Sequence, residues 1–146
     1  MNVDSNFPKK IQPQHQDKQP GVETLMNPKP IYSAEGYSFP SGKLKDKVVI
    51  ITGGDSGIGR AVSLAYAKEG AKVVCADVNE AGAKKSVAKI IELAGPDSAI
   101  SFKVDVSKED QVKALVDKAV DTYGNMTRQN IMYIPKDRER TNASKT

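Results

Sequence analysis

From Lys47 onward the apolar residues fall into two alternating rhythms. Val48-Val-Ile-Ile51 is a continuous run of β-branched side chains, apolar on both faces as buried parallel strands are, and predicts a strand from about Lys47 to Thr52. A stripe of Ile58, Ala61, Val62, Ala65 and Tyr66 then predicts a helix from about Gly57 to Glu69, with Gly70 placed to end it. The strand rhythm returns over Lys72 to Asp77. It gives way to a helix from about Glu80 to Leu93, whose apolar residues are Val87, Ala88, Ile90, Ile91 and Ala94 and which Gly95-Pro96 terminates. A third strand is expected over about Ala99 to Val104. Beyond it, Ser107-Lys-Glu-Asp110 has the spacing of a capping box, with the Ser107 hydroxyl expected on a free N–H of the next helix. That helix carries Val112, Leu115, Val116, Ala119, Val120 and Tyr123 at i, i+3, i+4, i+7, i+8 and i+11, and Gly124 suits its end.

Three strands alternating with three helices imply right-handed crossovers. The expected fold class is therefore α/β: a Rossmann-like parallel sheet of three clear strands in the order 3-2-1, with flanking helices, truncated. Outside this region the rhythm fails. Residues 1–46 hold six of the eight prolines and read as an extended arm. Its apolar points, Phe7, Ile11, Leu25, Met26, Ile31, Tyr32, Tyr37 and Phe39, are too many for a bare linker and predict that it lies along a folded surface. Residues 125–146 read as an irregular basic tail, in which only Ile131 to Ile134 could make a strand, closed by Pro135. The expected organisation is thus an arm over 1–46, a folded α/β unit over 47–124 and a tail over 125–146.

The candidate chemistry sits where the first strand breaks into its helix, at Thr52-Gly-Gly-Asp-Ser-Gly-Ile-Gly-Arg60. Gly53 allows a tight exit from the strand, Gly57 lets backbone approach a pyrophosphate with no Cβ in the way, and Gly59 lets the helix pack close to the strand. The N–H groups opening the helix, at the positive end of its dipole, would point at the anion. Asp55, Ser56 and Ile58 belong to the same turn and join the glycines as candidate cofactor-binding residues. Arg60 could favour a phosphate or be a solvated helix charge. Asp77, 24 residues after Gly53 at the end of the second strand, is placed to take the adenosine ribose hydroxyls and to repel a 2′-phosphate, which favours NAD over NADP without excluding NADP.

Composition narrows the setting. A chain of 146 residues, 38% apolar, is one domain at most. Cys75 is the single cysteine, so no disulfide framework forms within the chain and a reducing, cytoplasmic setting is the default expectation. No secretory leader and no apolar run of membrane-spanning length is expected. The net charge of +4 divides into six basic and five acidic groups in residues 1–46, eleven of each in 47–124, and five basic and two acidic in 125–146. The folded part is neutral, and the basic tail lacks interleaved aromatics, so a nucleic-acid partner is not expected. His15, alone among Gln and Asp, is read as a solvated side chain and not a metal ligand.

The Thr-Gly-x-x-x-Gly-x-Gly spacing of Thr52 to Gly59 resembles the short-chain dehydrogenase/reductase family over about Lys47 to Gly124. Phe7-Pro-Lys-Lys, Gln19-Pro-Gly and Leu25-Met-Asn-Pro are similar to the leader of a subgroup related to glucose and ribitol dehydrogenase homologues. The resemblance implies hydride transfer between NAD(P) and a small alcohol or carbonyl substrate. It implies an adenine contact for Asp105, with Val106 flanking the ring, in preference to the simpler reading of Asp105 as a turn residue ahead of a helix. It also implies that the arm packs over the core or a neighbouring subunit, so that an oligomer is among the expected states.

The same resemblance implies a catalytic Tyr with a Lys four residues on. None of Tyr32, Tyr37, Tyr66, Tyr123 and Tyr133 has one, and Tyr133 with Lys136 is one position short. No catalytic residue is assigned. A fourth strand ending in Asn-Asn-Ala-Gly is implied after the third helix, where this chain changes character at Asn125. The change reads as a lost reading frame or a truncation, and competes with a short protein whose tail covers the first strand. The expectation is an oxidoreductase of this family represented by its dinucleotide-binding half, the alternatives being a non-catalytic nucleotide-binding or interaction fragment and an inactive product.

Overall fold

The computed structural model describes residues 8–18, 21–32, 41–55, 57–124 and the short strand at 131–132. Among these residues four strands, β1 (Val48–Thr52), β2 (Lys72–Asp77), β3 (Ala99–Lys103) and β4 (Ile131–Met132), form one sheet in the order β3-β2-β1-β4. All pairings are parallel. Helices α1 (Gly57–Lys68), α2 (Glu80–Ala94) and α3 (Glu109–Tyr123) connect them. The expected order 3-2-1 is present, and the tail adds β4 on the far side of β1, with Ile50 opposite Ile131 and Ile51 opposite Met132. The strands stay parallel, but the order in which the chain adds them switches at β1, with β2 and β3 on one side and β4 on the other, and the crevice that such a switch opens lies at the carboxyl ends of the strands.

Alternation along β1 and β2 divides the core into two layers. Val49, Ile51, Val73 and Cys75 face α1 and α2, where they meet Leu64, Ala67, Ala83 and Ile90. Ile50, Val74 and Ala76 face α3, where they meet Leu115 and Ala119 beside Val104. All five residues of β1 are buried, which is why its sequence carries no polar alternation. Burying a side chain the size of Ile51 or Ile90, both fully inaccessible, is worth about 1.5–3 kcal/mol each.

Two local expectations are corrected. The fully buried face of α1 is Gly59, Ser63, Leu64 and Ala67. Of the expected stripe, Val62 and Tyr66 pack partly buried against the core, whereas Ile58 is 72% exposed and Ala65 is exposed. The buried Ser63 is accommodated by donating to the Gly59 carbonyl at 2.7 Å. Ser107 does not cap α3 either. The cap position is Lys108, with no side-chain bond, one residue beyond Ser107, whose hydroxyl donates to Asp105 Oδ1 at 2.7 Å.

Among the described residues of the arm the backbone is irregular apart from a 3₁₀ turn at Glu23–Leu25. Tyr32 packs against the α1/α2 side of the core, whereas Ile11, Leu25, Met26 and Ile31 are 41–68% exposed. Phe7, Tyr37 and Phe39 lie outside the described residues. The arm returns to the fold through Glu69, at the end of α1, whose carboxylate accepts the N–H groups of Ser41 and Lys43, each at 3.1 Å. No helix among the described residues is long and apolar enough to cross a membrane.

Candidate functional site

The parallel strands end on one side of the sheet, and the sequence candidates stand there in order. Gly53 follows β1, Asp77 closes β2, and Asp105 with Val106 follows β3. The turn between β1 and α1 is tied to β2 by the Gly53 N–H, which donates to the Ala76 carbonyl at 2.9 Å. Gly53 and Gly57 have φ of 69° and 56°, a region that side chains disfavour. A Cβ at Gly59 would lie 2.1 Å from the Gly53 carbonyl oxygen, while one at Gly57 would meet nothing within 4 Å. One glycine is thus needed for close packing inside the protein, and the other borders open space.

Asp55 is buried and turned inward: its Oδ2 accepts from Asn79 Nδ2 at 3.1 Å. Asn79 caps α2 through Gly82 N–H at 3.2 Å, and a Cβ at Gly82 would lie only 2.7 Å from the Asp55 Cβ. The glycine turn, the loop after β2 and the start of α2 therefore meet at a single point. Asp77 is 4% exposed, and its Oδ1 accepts the Asn79 N–H at 2.9 Å. Asp105 Oδ1 accepts both the N–H and the hydroxyl of Ser107, at 3.0 and 2.7 Å, and these bonds hold its carboxyl below the usual carboxylate range. Asp105 is thus seen in the turn ahead of α3. Val106 and Ile58 are exposed, and Ser56 lies outside the described residues.

Arg60 is neither solvated nor aimed at open space. Its side chain is 13% exposed and it pairs with Glu23 of the arm, Nη1 to Oε1, at 3.5 Å. Its Nε donates to Ser86 Oγ at 2.9 Å, its Nη2 donates to the Asp55 carbonyl, and its guanidinium lies 5.5 Å from the centroid of the Tyr32 ring. Ser86 Oγ in turn donates to the Gly54 carbonyl at 2.5 Å. The other oxygen of Glu23, Oε2, accepts the Gly57 N–H at 2.6 Å, so the arm sets a carboxylate on the first residue of α1. Glu23, Asn79 and Ser86 were not read from the sequence. Asn79 had a signal, a cap-type residue directly before a helical stripe; Glu23 and Ser86 had none that local pattern carries. Among the described residues no cluster of three or more metal-ligating side chains is found, and His15 sits exposed, 3.4 Å from Asp17.

A parallel α/β sheet with a glycine turn opening its first helix, and acids closing its second strand and following its third, defines a nucleotide-binding fold of the Rossmann-like class. The short chain dehydrogenase family model matches residues 47–127, and the chain belongs to that family. A glucose and ribitol dehydrogenase homolog from Oryza sativa subsp. japonica is 39% identical over 118 residues, covering 77% of this chain and 39% of the relative. A chloroplastic NADPH-dependent aldehyde reductase from Arabidopsis thaliana is also 39% identical over 118 residues, covering 77% of this chain and 41% of the relative. The structure is similar to that of a 3-ketoacyl-(acyl-carrier-protein) reductase from Brucella melitensis complexed with NADH, with a TM-score of 0.52 and 38% identity over 57% of this chain and 32% of that one. The chain spans about two-fifths of the length of these curated relatives.

Proposed function

We propose that this chain is the dinucleotide-binding half of an NAD(P)-dependent oxidoreductase that moves hydride between a nicotinamide and a small alcohol or carbonyl compound. The observation that carries this reading is the turn at the start of α1, where Gly59 is pressed against the Gly53 carbonyl while Gly57 borders open space and already holds a carboxylate on its N–H. A backbone built this way accepts an anion at the positive end of a helix dipole.

In this reading Gly53, Asp55, Ser56, Gly57, Ile58 and Gly59 form the pyrophosphate turn. Asp55 acts from behind, by fixing Asn79 and hence the loop after β2. Asp77 takes the ribose hydroxyls, and its charge opposes a 2′-phosphate. Asp105, with Oδ1 committed to Ser107, would accept the adenine amino group through Oδ2, beside Val106. The bound nicotinamide would supply or accept the hydride. The folded half-domain runs over 47–124, the arm of 1–46 lies ahead of it and the tail of 125–146 follows. No residue is assigned to proton transfer.

The second reading is NADP as the cofactor, favoured by the NADPH-dependent plant reductase among the relatives. Thermal unfolding of the chain alone, with NAD and with NADP separates the two. Ligand at about ten times its Kd should add about 1.4 kcal/mol. A midpoint raised by NAD alone supports the first reading, and one raised more by NADP supports the second. A cooperative transition indifferent to both would defeat them together.

A further inference from the structure

We propose that Glu23 is a built-in competitor for the cofactor's pyrophosphate: its carboxylate occupies the anion position at the start of α1 and has to leave before a dinucleotide can seat there. The inference rests on the dinucleotide reading above and adds a regulator to it.

Three observations carry it. First, the position holds an anion that the chain itself supplies. Oε2 of Glu23 accepts the Gly57 N–H at 2.6 Å while Oε1 pairs with Arg60 at 3.5 Å, and both partners are mostly shielded, with side-chain exposures of 19% for Glu23 and 13% for Arg60. A carboxylate and a phosphate oxygen compete for the same donors, and two anions packed against one helix start repel each other. Second, the cation survives the loss of its partner. Arg60 is held independently by Ser86 and the Asp55 carbonyl, so lifting Glu23 leaves a fixed guanidinium beside the freed N–H. Third, the segment that carries Glu23 is lightly attached. It is a single 3₁₀ turn with no buried residue, in which Leu25 is exposed, as are Val22 and Met26 on either side. Gln16, which bonds the Val22 backbone at 3.0 and 2.5 Å, belongs to the arm itself, and segments of this kind open at low cost. Tyr32, packed between Arg60 and Lys89 at 5.5 and 5.3 Å, anchors the arm nine residues further on, so the turn can lift without the arm leaving the fold.

The coupling is reciprocal. While Glu23 is seated only a fraction of molecules can bind, and apparent affinity falls by that fraction. A dinucleotide that binds must in turn release the arm.

The test is titration calorimetry of NAD into the full chain and its Glu23→Gln and Glu23→Ala variants, with amide exchange at Leu25 and Met26 followed in parallel. Removing the carboxylate should tighten NAD binding about tenfold in the alanine variant, and by less in the glutamine variant, which keeps a neutral acceptor. Inorganic pyrophosphate, used as a second probe, should follow the same order. In the unsubstituted chain NAD should speed exchange at Leu25 and Met26, whose N–H groups close the 3₁₀ turn on Val22 and Glu23. Binding by all three chains within twofold, weaker binding by the variants, or exchange slowed by NAD would overturn the competitor role and leave the dinucleotide reading standing. No binding by any of the three would overturn both.

Discussion

A methyl group at position 59 would sit 2.1 Å from a carbonyl oxygen of the backbone, a distance no rotamer can relieve. Gly59→Ala is therefore expected to cost about 2–3 kcal/mol in urea-induced unfolding and to shift the whole β1–α1 turn. Cys75 gives a prediction in pH. Burial pushes its thiol up to about 11 from an ordinary value of 9.0, and neither the Ser63 hydroxyl nor the Arg60 charge offsets that. The unfolded chain ionises the thiol first, so the raised folded value stabilises the fold below pH 9 and the contribution is lost as pH climbs towards 11. Stability should fall over that window by about 2–3 kcal/mol more in the native sequence than in Cys75→Ala, measured by denaturant unfolding at each pH. At this scale the sequence was legible where a residue type has a single use. Three glycines before a helix can be placed from spacing alone, and a cysteine in an apolar run can be expected to be buried. It was not legible where the partner is distant: Arg60 reads as a charge for a phosphate or for solvent until Glu23, 37 positions earlier, is brought to it.

The elements themselves were readable because parallel strands buried on both faces leave uninterrupted β-branched runs, and because α3 has a regular apolar stripe. Rotation of α1 was readable only in part. Val62 and Tyr66 of its apolar stripe do pack on the core, but the fully buried positions include Gly59 and Ser63, residues a hydrophobic count passes over. The strand the tail contributes is two residues long, and pairing with β1 places it where composition could offer only a candidate run. For α2 the decisive residue is its cap. Asn79→Ala removes the acceptor for Gly82 N–H and the donor to Asp55 together, and should cost about 1–2 kcal/mol, read as a lowered denaturant midpoint. Asn79→Ser, which can still cap but cannot reach as far, should recover part of the loss.

Across the whole molecule the arm is pinned at the two ends of α1, by Glu23 at its first residue and by Glu69 just past its last. The Glu69 carboxylate is held below its ordinary range, first by the Lys43 N–H and then by the Ser41 N–H and hydroxyl. A depressed value means the attachment is present above the ordinary glutamate range and lost as pH falls through the lowered one. Protection of the Ser41 and Lys43 amides, read as exchange relative to the intrinsic rate at each pH, should be lost in the native chain as pH falls below the ordinary glutamate range, and be absent at every pH in Glu69→Ala. An unchanged exchange rate in that variant would show that the base of the arm is held by something else.

The contact of Asp55 with Asn79 and Gly82 also sets a rule for anyone who redesigns this protein. Cofactor choice in such folds is set by the acid that closes the second strand and by the residues just after it. Here the loop after β2 leans on the glycine turn through a 3.1 Å bond, and a Cβ added at Gly82 would lie 2.7 Å from the Asp55 Cβ. A grafted loop that omits Asn79 or puts a side chain at Gly82 would disturb the glycine turn as well, so the two segments have to be transplanted as one unit.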